Sequence, residues 1–185
     1  MKKVILFFVI ATCISGSLFS QSYAVDKGAT IASGMASFSY SGGKLYESTD
    51  GKGLTTISLS PAVNYLVIPN FFIGGSLGLT YQTRGDNSST SLGIGPQLGY
   101  FIGNSESTAF PYLTAGFRYN IISLTGYETA NGSDILLGFG VLVPMKGNIG
   151  FTIEGGYHIM SVTYSGESRS GNIISLGIGF SGLFY

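Results

Sequence analysis

From residue 30 onward the chain alternates. In "FFIGGSLGLTYQ" (71–82), Phe71, Ile73, Gly75, Leu77, Leu79 and Tyr81 share one parity, and Phe72, Gly74, Ser76, Gly78, Thr80 and Gln82 the other. Period two marks a β-strand whose faces meet different surroundings. The same rhythm runs through 55–67, 90–101, 111–121, 134–143, 149–160 and 174–184, and more weakly through 30–40. The pattern predicts about eight strands of roughly ten residues each.

The connections alternate in kind. Segments 67–71, 103–108 and 144–148 read as tight turns, whereas 41–53, 84–89, 126–133 and 165–170 are polar loops rich in Gly, Ser, Asn and Asp. Tight turns at one end and polar loops at the other suit an up-and-down antiparallel barrel.

The two faces decide what surrounds it. A soluble sandwich would carry Lys, Glu, Arg and Asp on its outward parity. Here the polar parity is Gly, Ser, Thr and Asn, and strand interiors hold only Arg118 and Glu154 as charges, with Asp134 at a strand edge. Small polar residues suit the inside of a narrow barrel, which side chains fill at eight strands. The bulky apolar parity then faces outward, which only lipid accepts, and lipid requires every backbone group to be bonded internally. Tyr65, Phe71, Tyr100, Phe110, Phe151 and Phe184 gather near the tight turns, with Tyr40, Tyr81 and Tyr119 toward the loops. Two aromatic belts are expected at the two membrane interfaces.

Composition sharpens this picture. Charged residues make up 10% of the chain, against about 25% in soluble domains. The first residues, "MKKVILFFVIATCISGSLFSQSYA", run from basic Lys2 and Lys3 through an apolar stretch to a small-x-small site at Ser22-Tyr23-Ala24. This is the layout of a secretory signal peptide. It divides the chain into a leader, 1–24, and a β-barrel domain, 25–185. The single Cys, Cys13, lies in the leader, and Thr12 before it is larger than a lipobox wants. The exported chain then carries no disulfide and no thiolate site. Without Lys2 and Lys3, seven basic residues face nine acidic ones. No basic field for nucleic acid exists.

The leader, "KGATIASGMASFSY", "TTISLSPAVNYLV", "FFIGGSLGLTYQ", "TSLGIGPQLGYFI" and the closing "ISLGIGFSGLFY" together resemble the outer-membrane protein β-barrel domain family. These are the small OmpA/OmpX-like, "porin family" barrels of Gram-negative bacteria. The resemblance implies an outer-membrane location and contact with outer-membrane lipids, lipopolysaccharide included. It also implies that the barrel-assembly machinery reads the C-terminal strand through Phe184 and Tyr185. Family members commonly end in Phe; here Tyr185 follows Phe184.

Candidate chemistry is sparse. Arg118 and Glu154 share lumen parity on the fifth and seventh strands, and are expected to form a structural ion pair across the interior. His158 also has lumen parity. A lipid-modifying barrel enzyme would need a Ser–His–acid set facing the bilayer, but His158 faces inward and position 160 is Met rather than Ser. No catalytic residues, metal ligands or cofactors are therefore expected, and the protein is read as a non-enzyme. The expected role is structural or interactive, with loops 41–53, 84–89, 126–133 and 165–170 open to an extracellular partner. The alternative is a small porin-like passive channel.

Overall fold

A computed structural model describes residues 25–41, 54–104, 107–124, 129–145, 147–164 and 167–185. The leader and most of the first loop, 42–53, lie outside these. Eight strands follow one another: β1 (Thr30–Ser41), β2 (Leu54–Ile68), β3 (Phe71–Arg84), β4 (Asn87–Phe101), β5 (Phe110–Leu124), β6 (Ala130–Pro144), β7 (Ile149–Tyr164) and β8 (Glu167–Phe184). Each pairs antiparallel with its sequence neighbour, and β8 returns to β1 to close the barrel. Closure satisfies the backbone between strands and removes the sheet edge.

The facing expected from parity holds around the wall. Ile94 is 62% and Phe139 56% exposed, and Val63, Leu98, Leu113, Leu137 and Ile153 also point out. Asn64, Ser76, Thr114, Asn120, Thr152 and Ser181 point in and are buried. Tyr65 and Tyr100 at the tight-turn end, and Tyr81 and Tyr119 toward the other, present exposed rings.

One end departs from the small-inside rule. Val25, Ala29, Ile31, Leu66, Phe72, Phe101, Phe110, Tyr112, Leu142 and Leu183 form a buried apolar cluster where the tight turns lie. Phe101 is its hub, with ring centroids 5.3 Å from Phe72, 6.5 Å from Phe110 and 5.4 Å from Tyr112. Phe110 therefore belongs to this plug, not to the outer belt to which its position assigned it. Two features of the chain shape this end. The segment before β1 is tied across the barrel end, with Gly28 N–H donating to the Leu66 carbonyl and Asn70 N–H to that of Val25, both at 2.9 Å. The β2–β3 register also shifts between Leu66 and Ile68. Leu66 points inward on the parity of Asn64, as Phe72, Phe101 and Phe110 do on the lumen parity of their own strands, and the irregularity leaves Ile68 outside.

The loop-end connections are shorter than polarity suggests. Arg84 pairs directly with Asn87 across a two-residue turn, Gly85-Asp86, where Gly85 supplies a left-handed φ of 61°. Likewise β6 begins at Ala130 and β8 at Glu167, inside segments expected to be loop. In these strand portions Ser, Asn and Thr fall on both faces, so the apolar parity is lost and they read as loop while the ladder continues.

Candidate functional site

Inside the barrel, polar side chains meet on the lumen faces of β2 to β8. Gln97 Nε2 donates to Asn64 Oδ1 at 2.7 Å, and Thr114 Oγ1 to the Leu98 carbonyl at 3.1 Å. Arg118 and Glu154 both sit here, each 9% exposed. Their expected direct pairing is not what positions them. Glu154 Oε2 instead accepts a 2.8 Å hydrogen bond from the Tyr112 hydroxyl, and no Arg118–Glu154 contact within 4 Å occurs among the described residues. Arg118 stands directly opposite Asp134 on β6 and makes no hydrogen bond among the described residues. It faces Glu154 across two shared cavities of about 50 and 40 Å³. The missed partner, Tyr112, lies on the same parity as Arg118, so its inward position was readable but its height beside Glu154 was not.

The structure also assembles a set that parity alone did not connect. His158 Nδ1 lies 3.1 and 3.0 Å from the two Asp134 oxygens, and its Nε2 lies 3.0 Å from Ser175 Oγ. With the carboxylate ionised and the imidazole neutral, Nδ1–H donates to Asp134, which can then only accept, and Nε2 accepts from the Ser175 hydroxyl. The register explains the chain of bonds. His158 on β7 is opposite Leu136 on β6 and Ile173 on β8, so Asp134 and Ser175 are its diagonal neighbours two residues away, both on the lumen face. Gly156, directly opposite Ser175, keeps the space open. A Cβ there would come within 2.8 Å of Ser175 Oγ and 3.2 Å of His158 Nε2. Asp134, expected at a strand edge, is five residues inside β6 and 5% exposed.

Among the described residues the ladder beside this set stops short: β1 pairs with β8 from Thr30↔Phe184 to Ala36↔Ile178, and its residues 37–41 have no partner on β8. Beyond that last pair the seam carries large exposed apolar side chains: Phe38 at 69%, Ile174 at 85% and Leu176 at 70%. Ser175 sits between the latter two, on the opposite face. Among the described residues, no group of three or more His, Cys, Asp or Glu side chains could hold a metal ion.

No family model matches the chain, and no curated protein matches it either. Solved structures do. Outer membrane protein OprG of Pseudomonas aeruginosa superposes with a TM-score of 0.57 at 14% identity, covering 89% of this chain and all of that one. Neisserial surface protein A (NspA) gives 0.55 at 18% identity, covering 85% and 98% respectively. At such identities the likeness is one of fold, and the chain has the closed, eight-stranded, all-β fold of outer-membrane barrels.

Proposed function

We propose that the protein is an integral barrel of a Gram-negative outer membrane with a structural or interaction role. Its apolar wall meets acyl chains, and its loop-end hairpins face the outside. The observation that carries this reading is the continuous band of outward Ile, Leu, Val and Phe around a barrel with a filled interior. In water such a band would be an aggregation surface far larger than the patches monomers tolerate.

The channel alternative has less support. Two cavities inside the described barrel are about 50 and 40 Å³, and the apolar cluster around Phe101 closes the tight-turn end. Export through the leader 1–24 and insertion by the assembly machinery through Phe184 and Tyr185 complete the reading. Lipopolysaccharide at the rim and an extracellular partner on the loops are further parts of it.

Two measurements test it. Membrane fractionation, with gels of boiled and unboiled samples, should place a heat-modifiable band in the outer membrane; a soluble, detergent-independent monomer would end the reading. Planar-bilayer recordings should show no stepwise conductance. Reproducible steps at the single-channel level would favour the passive channel instead.

A further inference from the structure

We infer that Ser175 is an activated nucleophile, with His158 as its general base and Asp134 orienting the imidazole, and that it attacks long-chain acyl esters reaching it through the stretch of the β1–β8 seam where 37–41 and 173–177 are unpaired. The inference rests on the membrane reading for its substrate, but not for the reactivity of the serine.

The geometry meets the requirements of such a set one by one. A serine hydroxyl is a weak nucleophile until a neighbouring base takes its proton. Here Nε2 is 3.0 Å from Oγ, and the Nδ1–H is held by both oxygens of a buried carboxylate, which fixes the tautomer that leaves Nε2 free to accept. All three residues come from strands of a closed barrel, so their spacing is set by register instead of by loops. Arg118, buried and without a hydrogen bond among the described residues, lines the same 40 Å³ cavity as His158 and Ser175. It is the cation on hand for a developing oxyanion.

Access is through the seam. Among the described residues the ladder between β1 and β8 stops at Ala36↔Ile178, three residues from Ser175. Above it the outward side chains are Phe38, Ile174 and Leu176, all strongly exposed. An acyl chain lying against these residues brings its ester carbonyl to the gap in the wall.

The chemistry balances with water as the only co-reactant. Ser175 Oγ bonds to the carbonyl carbon as its proton passes to His158 Nε2. The tetrahedral intermediate collapses, the C–O bond to the alcohol breaks, and the alcohol leaves with that proton. Water then attacks the acyl-serine, giving a proton to His158, and the ester bond to Oγ breaks to release the carboxylic acid and restore the hydroxyl.

The experiment uses the folded barrel in detergent micelles, with heat-modifiability confirming the fold of every variant. A fluorophosphonate should add one adduct, mapped by peptide mass spectrometry to Ser175. Ser175→Ala should abolish it, and Asp134→Asn should slow it by on the order of 10³–10⁴-fold. Gly156→Ala should slow it too, by pushing on the Ser175–His158 contact. A folded wild-type barrel that stays unlabelled, or labels at another serine, overturns the nucleophile; this outcome leaves the membrane reading standing. For the route, continuing the register would set Phe38 opposite Leu176. A disulfide in Phe38→Cys/Leu176→Cys should block hydrolysis of p-nitrophenyl palmitate while sparing the fluorophosphonate reaction. Palmitate hydrolysis unchanged by that lock, or faster turnover of the acetate than of the palmitate ester, overturns the long-chain substrate and its lateral route.

Discussion

Some lumen residues are held by a single hydrogen bond, which makes their substitution informative. Tyr112 gives Glu154 its one hydrogen bond among the described residues. Tyr112→Phe should leave that carboxyl unpartnered inside the barrel and cost about 1–3 kcal/mol, read as an earlier denaturant midpoint by circular dichroism in micelles. The same loss should not follow Arg118→Met to the same degree, because no direct bond to Glu154 is broken; equal losses would restore the ion-pair account. Room is equally residue-specific. A Cβ on Gly95 would run into the carbonyl of Phe117, whereas at Gly34 nothing lies within 4 Å. Gly95→Ala should therefore destabilise by about 1–3 kcal/mol, and Gly34→Ala far less. Matching midpoints for the two variants would contradict this packing.

Among the elements, the ladders are unequal. β7 and β8 pair over sixteen positions, from Ile149↔Gly182 to Tyr164↔Glu167, but β1 and β8 over seven. Backbone amides of β8 from Ile173 to Gly177 that point toward β1 should exchange with solvent deuterons well before those in the β6–β7 ladder. Uniform protection across both would mean that the seam is closed. Strand facing was legible from the chain, because parity survives any uncertainty about register. Ser175, His158 and Asp134 could each be assigned to the interior in that way. Their meeting could not, because it depends on the height of β6 against β7 and of β7 against β8, and alternation is blind to a two-residue slide. The plug was missed for another reason: Leu66, Phe72, Phe101 and Phe110 carry the lumen parity of their own strands, but bulky apolar side chains were not expected in an interior of small polar ones. The hairpin ends were misread as loops because Ser, Asn and Thr on both faces carry no period at all.

For the molecule as a whole, the proposed membrane setting places the outward band against the lipid. Ile94→Arg, at an exposed mid-strand site, should cost about 2–4 kcal/mol when unfolding is measured in lipid vesicles. A neutral result there would reverse the inside–outside assignment for the entire barrel. Strand length carries one more consequence. β8 has 18 residues, whereas about 9–11 cross the hydrocarbon when tilted near 45°; at ~3.4 Å per residue the surplus rises roughly 15–20 Å past the acyl chains. The barrel rim thus stands above the lipid like a parapet, and a peptide grafted between Gly85 and Asp86, on a hairpin of the same end, would be held up to passing antibodies by a stiff ribbon instead of trailing from a loose tether.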